Sequence, residues 1–147
     1  MKKVLIIGVG NRILGDDGVG SLLVERISDL VNDNIDVIDA GISLYEHLWS
    51  LQFEENLPDM ILIMDIMNGT KPGELHFIDY TSLNKNFFSS HLFPDTIFFY
   101  NIAKRGVKIK FLLCEIKEYE KIFTEKLSEN GKICMERMEK FIRELLK

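Results

Sequence analysis

Met1-Lys-Lys-Val-Leu-Ile-Ile-Gly8-Val-Gly10-Asn11-Arg-Ile-Leu-Gly15-Asp16-Asp17-Gly18-Val-Gly20 opens the chain, and the order of residue types in it decides the fold. The apolar run Val4–Ile7 is short and β-branched and stops at Gly8, the pattern of a strand buried on both faces. Gly8, Gly10 and Asn11 permit a sharp turn. A second cluster of small residues, Gly15 to Gly20, then runs into Ser21-Leu22-Leu23-Val24-Glu25-Arg26-Ile27, which has helical spacing. Two adjacent carboxylates, Asp16 and Asp17, therefore lie between a buried strand and the first turn of a helix, where backbone amides favour negative charge.

A dinucleotide fingerprint would need a third glycine three residues after Gly10, and Ile13 stands there. Phosphate would also be repelled by two carboxylates in the loop meant to cradle it, and no Gly-Lys-Ser/Thr follows. A carboxylate pair in a glycine-lined turn instead suits a cation or proton chemistry. Either Asp could cap the helix, which leaves one spare.

The rest of the chain alternates strand and helix patterns. Strands are expected at Lys3–Ile7, Ile35–Asp39, Met60–Met64, Glu74–Asp79 and Val107–Cys114. The expected fold is a three-layer α/β sandwich, a mostly parallel five-stranded twisted sheet with helices on both faces. The fourth strand follows the third after a connection too short for a parallel crossover. It is expected to return like a hairpin, antiparallel, making the sheet mixed. The first helix is expected over Gly18–Val31, a second behind a Ser43/Glu46 capping box, a third over Thr96–Ala103, and a last one carrying Ile133, Cys134, Met138, Phe141, Ile142, Leu145 and Leu146.

Met60-Ile-Leu-Ile-Met-Asp65 ends a fully buried pattern with a carboxylate. In a doubly wound sheet, ligands sit at the carboxyl ends of the strands where strand order reverses. With the second and third strands on opposite sides of the first, Asp17 and Asp65 would converge; the other role open to Asp65 is to cap the turn through Asn68 and Gly69. His91 lies in the turn-rich break Phe87-Phe-Ser-Ser-His-Leu-Phe-Pro94 and can offer imidazole as a ligand or as an acid/base. His47 and His76 fall inside a helix and a strand and read as structural or surface residues.

At 147 residues, 46% hydrophobic and 28% charged, residues 1–147 make one domain. A net charge of −5 gives no footprint for nucleic acid or an anionic membrane surface. No apolar run reaches the roughly 20 residues of a membrane span, and no cleavable leader is evident, so a cytoplasmic location is expected. Cys114 and Cys134 fit neither a redox pair nor a zinc knuckle and are expected to be reduced core thiols.

Gly8-Val-Gly-Asn11 followed by Asp16-Asp17-Gly18-Val-Gly20 resembles the N-terminal signature of the hydrogenase maturation endopeptidases. The resemblance extends through Asp39-Ala-Gly41, Asp65, Pro72-Gly73-Glu74 and His91, in that order. It departs at Leu92-Phe-Pro-Asp-Thr-Ile97 and at Cys114-Glu-Ile116, where a proline is usual. It implies an endopeptidase that trims the C-terminal extension of a nickel-iron hydrogenase large-subunit precursor after nickel insertion. Asp17, Asp65 and His91 would be both the catalytic and the metal-binding residues. They would meet nickel supplied by the substrate, in a monomeric enzyme with no tightly bound cofactor of its own. Metal-assisted and aspartic-type chemistry both remain open. The alternatives are a non-cutting module that recognises a metal-loaded partner and a nucleotide-binding domain, which Ile13, Asp16 and Asp17 oppose.

Overall fold

The computed structural model describes residues 3–83, 96–117 and 123–147. Five strands form one sheet: β1 (Val4–Val9), β2 (Ile35–Gly41), β3 (Met60–Asn68), β4 (Leu75–Asp79) and β5 (Lys108–Ile116), in the order β2-β1-β3-β5-β4. All neighbours pair in parallel except β4 and β5. The expected mixed α/β sandwich is the observed one. Alternation along the strands sorts the core into two layers. Leu5, Ile7, Ile61, Ile63, Ile109, Phe111 and Leu113 face α2 (Leu44–Leu51) and α3 (Thr96–Ala103). Ile6, Leu62, Met64, Ile66, Leu112 and Cys114 face α1 (Val19–Arg26) and α4 (Glu129–Leu145).

Several expectations change in three dimensions. The fourth strand is antiparallel, but it does not return beside β3; β5 is inserted between them. The short connection thus steps across a gap that a later segment fills. The first helix ends at Arg26 rather than Val31. A single 3-10 turn, Ser28–Leu30, follows, with the Ser28 hydroxyl donating to the Glu25 carbonyl. Ser43 precedes α2 without a side-chain cap, so the capping box does not form; His47 Nδ1 lies 2.9 Å from the Ser43 carbonyl instead. Cys114 and Cys134 are not free thiols. Packing of α4 on β5 brings their Cα atoms to 5.7 Å, within reach of a disulfide, and they are bonded. Among the described residues no helix is long and apolar enough to cross a membrane.

One glycine sets how closely α1 can lie on the sheet. A Cβ at Gly20 would run into the carbonyl oxygens of Val9 and Met64, both backbone atoms that cannot swing aside. Gly20→Ala should therefore lower the stability measured by denaturant unfolding by about 1–3 kcal/mol, as overpacking does in well-packed cores. An unchanged unfolding midpoint would show that the helix is free to lift.

Candidate active site

The site is built where β1 stops. β1 pairs with β3 only as far as Gly8 opposite Met64, while β3 continues to Asn68 alongside β5. Asp65 is therefore not the end of its strand, as the apolar run suggested, but the first residue of β3 past its β1 partner. The β2-β1-β3 order puts the topological reversal here, so Asp65 lies where sheets of this kind hold their ligands, at the carboxyl ends of the strands.

Asp17 reaches the same end of the sheet from a 3-10 turn, Gly15–Gly18, between β1 and α1. It is only 3% exposed. The Asn11 N–H donates to Asp17 twice, to its carbonyl at 3.1 Å and to Oδ2 at 3.2 Å. Gly10 is required at this crossing, because a Cβ there would overlap the Asp17 carbonyl. The turn is thus folded back on the glycine loop that precedes it.

Burial pushes the Asp65 carboxyl well above its ordinary value; the Ile66 N–H opposes this, and the negative charge of Asp17 adds to it. Poor solvation and a neighbouring like charge both make the ionised form of Asp65 costly. Such a pair can hold a cation between its oxygens or hold and release a proton. Asp17 and Asp65 are therefore brought together. His91, the third residue singled out in the sequence, lies outside the described residues.

Asp16 has a different task from its neighbour. Its carboxylate accepts from the Ser128 N–H at 2.8 Å and from the Ser128 hydroxyl, and that hydroxyl accepts from the Gly131 N–H at the start of α4. Gly15 N–H donates to the Thr124 carbonyl and Thr124 N–H to that of Ile13, so the loop is stitched to the segment leading into α4. Asp16 fastens this seam and places a negative charge near a helix N-terminus.

Arg12 was not singled out in the sequence, yet it ties the loop to the neighbouring strand. It donates to the Ser21 hydroxyl at 2.8 Å, to Glu25 at 2.7 Å and to Asp39 at 3.0 Å. Ser21 in turn donates to Asp39, whose Oδ1 accepts the Gly41 N–H, and the Gly41 carbonyl accepts the Gly10 N–H. Asp39 is thereby engaged in holding β2 against the glycine loop. The signal was available: an arginine inside a loop rich in carboxylates needs a partner, but sequence does not say which one.

The family model described as hydrogenase maturation protease matches residues 19–144. A Methanocaldococcus jannaschii protein named for the same activity is 32% identical over 122 residues, covering 80% of this chain and 79% of its own. The hydrogenase 3 maturation protease of Escherichia coli K12 is 33% identical over 92 residues, 61% of this chain and 58% of its own. The crystal structure of the [NiFe] hydrogenase maturation protease HycI from Thermococcus kodakarensis matches with a TM-score of 0.77 at 26% identity, over 99% of this chain and 92% of that one. These matches along most of its length, on the same doubly wound sheet, identify the chain as a member of the hydrogenase maturation protease family.

Proposed function

We propose that the protein is the endopeptidase that removes the C-terminal extension of a nickel-iron hydrogenase large-subunit precursor once nickel is in place. The observation that carries this reading is membership of the hydrogenase maturation protease family over residues 19–144, on a sheet whose point of strand reversal carries Asp65. Asp17, Asp65 and His91 would present two oxygens and a nitrogen to the nickel held by the substrate, leaving coordination positions for the substrate's own groups. Asp65, whose proton affinity is raised by burial, is suited to exchange a proton with the departing amine, and Asp17 to orient a water or the metal. Substrate nickel supplies Lewis-acid polarisation of the scissile carbonyl. An aspartic-type division of labour uses the same pair, and the raised proton affinity of Asp65 favours a proton-sharing role within either scheme. The enzyme would act as a cytoplasmic monomer, and its net charge of −5 suits a protein partner better than nucleic acid or an anionic membrane.

The test is a mass-spectrometric assay in which nickel-loaded and nickel-free large-subunit precursors are each incubated with the protein. The loaded form should lose a C-terminal peptide and the nickel-free form should remain intact. Binding of the loaded precursor without any shortened product would replace the protease reading with that of a recognition module.

A further inference from the structure

Away from Asp17 and Asp65, three side chains with metal-ligating atoms meet at the other side of β5. Glu74 immediately precedes β4 and His76 is its second residue; two apart in extended chain, they share a face of the sheet. The Glu115 N–H donates to the Glu74 carbonyl, and His76 pairs with Leu113, which places Glu115 across from Glu74 on that same face. One ligand atom from each of Glu74, His76 and Glu115 lies within 4.8 Å of the other two. We propose that these three residues bind a divalent first-row transition metal ion, reversibly and independently of Asp17 and Asp65.

The geometry favours a site over a chance grouping. Glu115 is only 6% exposed, and its carboxylate is already aimed: Oε1 accepts the Lys71 N–H at 3.2 Å while Oε2 lies 2.7 Å from His76 Nε2. Its seat depends on Gly69, where a Cβ would overlap the Glu115 carboxylate. Metal–ligand bonds of about 2.0–2.2 Å put donor atoms roughly 3–3.5 Å apart around an ion. The pair His76–Glu115 therefore has to open slightly, and exposed Glu74 has to close by at most about 1–2 Å. Glu74, exposed, and His76, half-buried on the edge strand β4, supply these motions, while buried Glu115 stays in place.

The donor set decides the kind of ion. One imidazole nitrogen and two carboxylates suit zinc, cobalt or nickel better than calcium or magnesium, which prefer oxygen alone. Two negative charges balance a divalent cation, and only three protein ligands leave it exchangeable. The site neighbours the two aspartates without including them. Glu115 pairs with Met67, two residues beyond Asp65 on the adjacent strand, a backbone separation of about 8 Å from strand spacing and rise.

The experiment titrates the full-length protein with Co²⁺ and Zn²⁺ by calorimetry, following the histidine imidazole resonances by NMR. Co²⁺ should broaden the His76 signals. His76→Gln and Glu74→Gln should each weaken one binding event by at least about tenfold or remove one equivalent, whatever binds at Asp17 and Asp65. Glu74 is exposed, so its variant keeps the test sound even if the more buried positions perturb folding. If His76 is not broadened by Co²⁺, or both variants bind as many equivalents as tightly as the parent, the three residues form only an ion pair with a bystander and the proposal is overturned.

Discussion

Asp65→Asn is expected to reduce precursor cleavage by ~10²–10⁴-fold, the range of a lost acid/base group, while making the folded protein more stable at neutral pH. The two effects come from one cause. Burial, with the Asp17 charge beside it, holds the proton of Asp65 well above the ordinary value of 3.8. Between 3.8 and that raised value the native state binds more protons here than the unfolded chain does. Stability contributed by this group is therefore fully present below 3.8 and falls as pH rises through the folded value. Asparagine carries no charge at any pH and removes that slope. Unfolding free energies of the parent and the variant should coincide below pH 3.8 and diverge above it, the variant gaining on the order of 1 kcal/mol, as active-site substitutions that relieve strain commonly do. Parallel stability curves across that range would mean that Asp65 is solvated like any surface carboxylate, and its assigned part in proton transfer would fall.

Removing the disulfide with the double substitution Cys114→Ala, Cys134→Ala should cost about 3 kcal/mol and lower the thermal midpoint by roughly 10 °C. The bond closes a loop across a sequence separation of 20, joining the end of β5 to the second turn of α4. Without it, the unfolded chain regains the freedom of that loop, and both positions sit in the fully buried core between sheet and helix. The loss also bears on the active site, because the start of α4 is where Ser128 fastens Asp16. Calorimetric scans of parent and variant read the effect directly. A shared midpoint would show that packing of α4 alone holds this layer.

Sequence reading and structure meet most closely in the strands. Residues Val4–Ile7, Met60–Met64 and Phe111–Cys114 are apolar without a break because both faces of a parallel sheet are covered, and that requirement is visible one residue at a time. Asp17 and Asp65 were legible for a related reason: a carboxylate next to such a run must lie where the run meets solvent or a crevice. The family resemblance, resting on short motifs in a fixed order, followed from the same local features.

Partnerships between distant residues were not legible. That β5 separates β3 from β4, that Asp16 turns to Ser128 while Asp17 accepts from the Asn11 N–H, and that Arg12 reaches Asp39 all depend on which segments become neighbours in space. The cysteines show the difference most plainly. Their spacing matched no motif and suggested reduced core thiols, and only the docking of α4 on β5 brought them within bonding distance. Glu74, His76 and Glu115 are likewise ordinary strand residues until antiparallel pairing at one sheet edge gathers them. Periodicity and turn chemistry record what each segment needs from its immediate surroundings, so the chain alone determined its elements and its two site aspartates. Pairings over long sequence separations are selected by the packing of the whole, and those the tertiary structure decided.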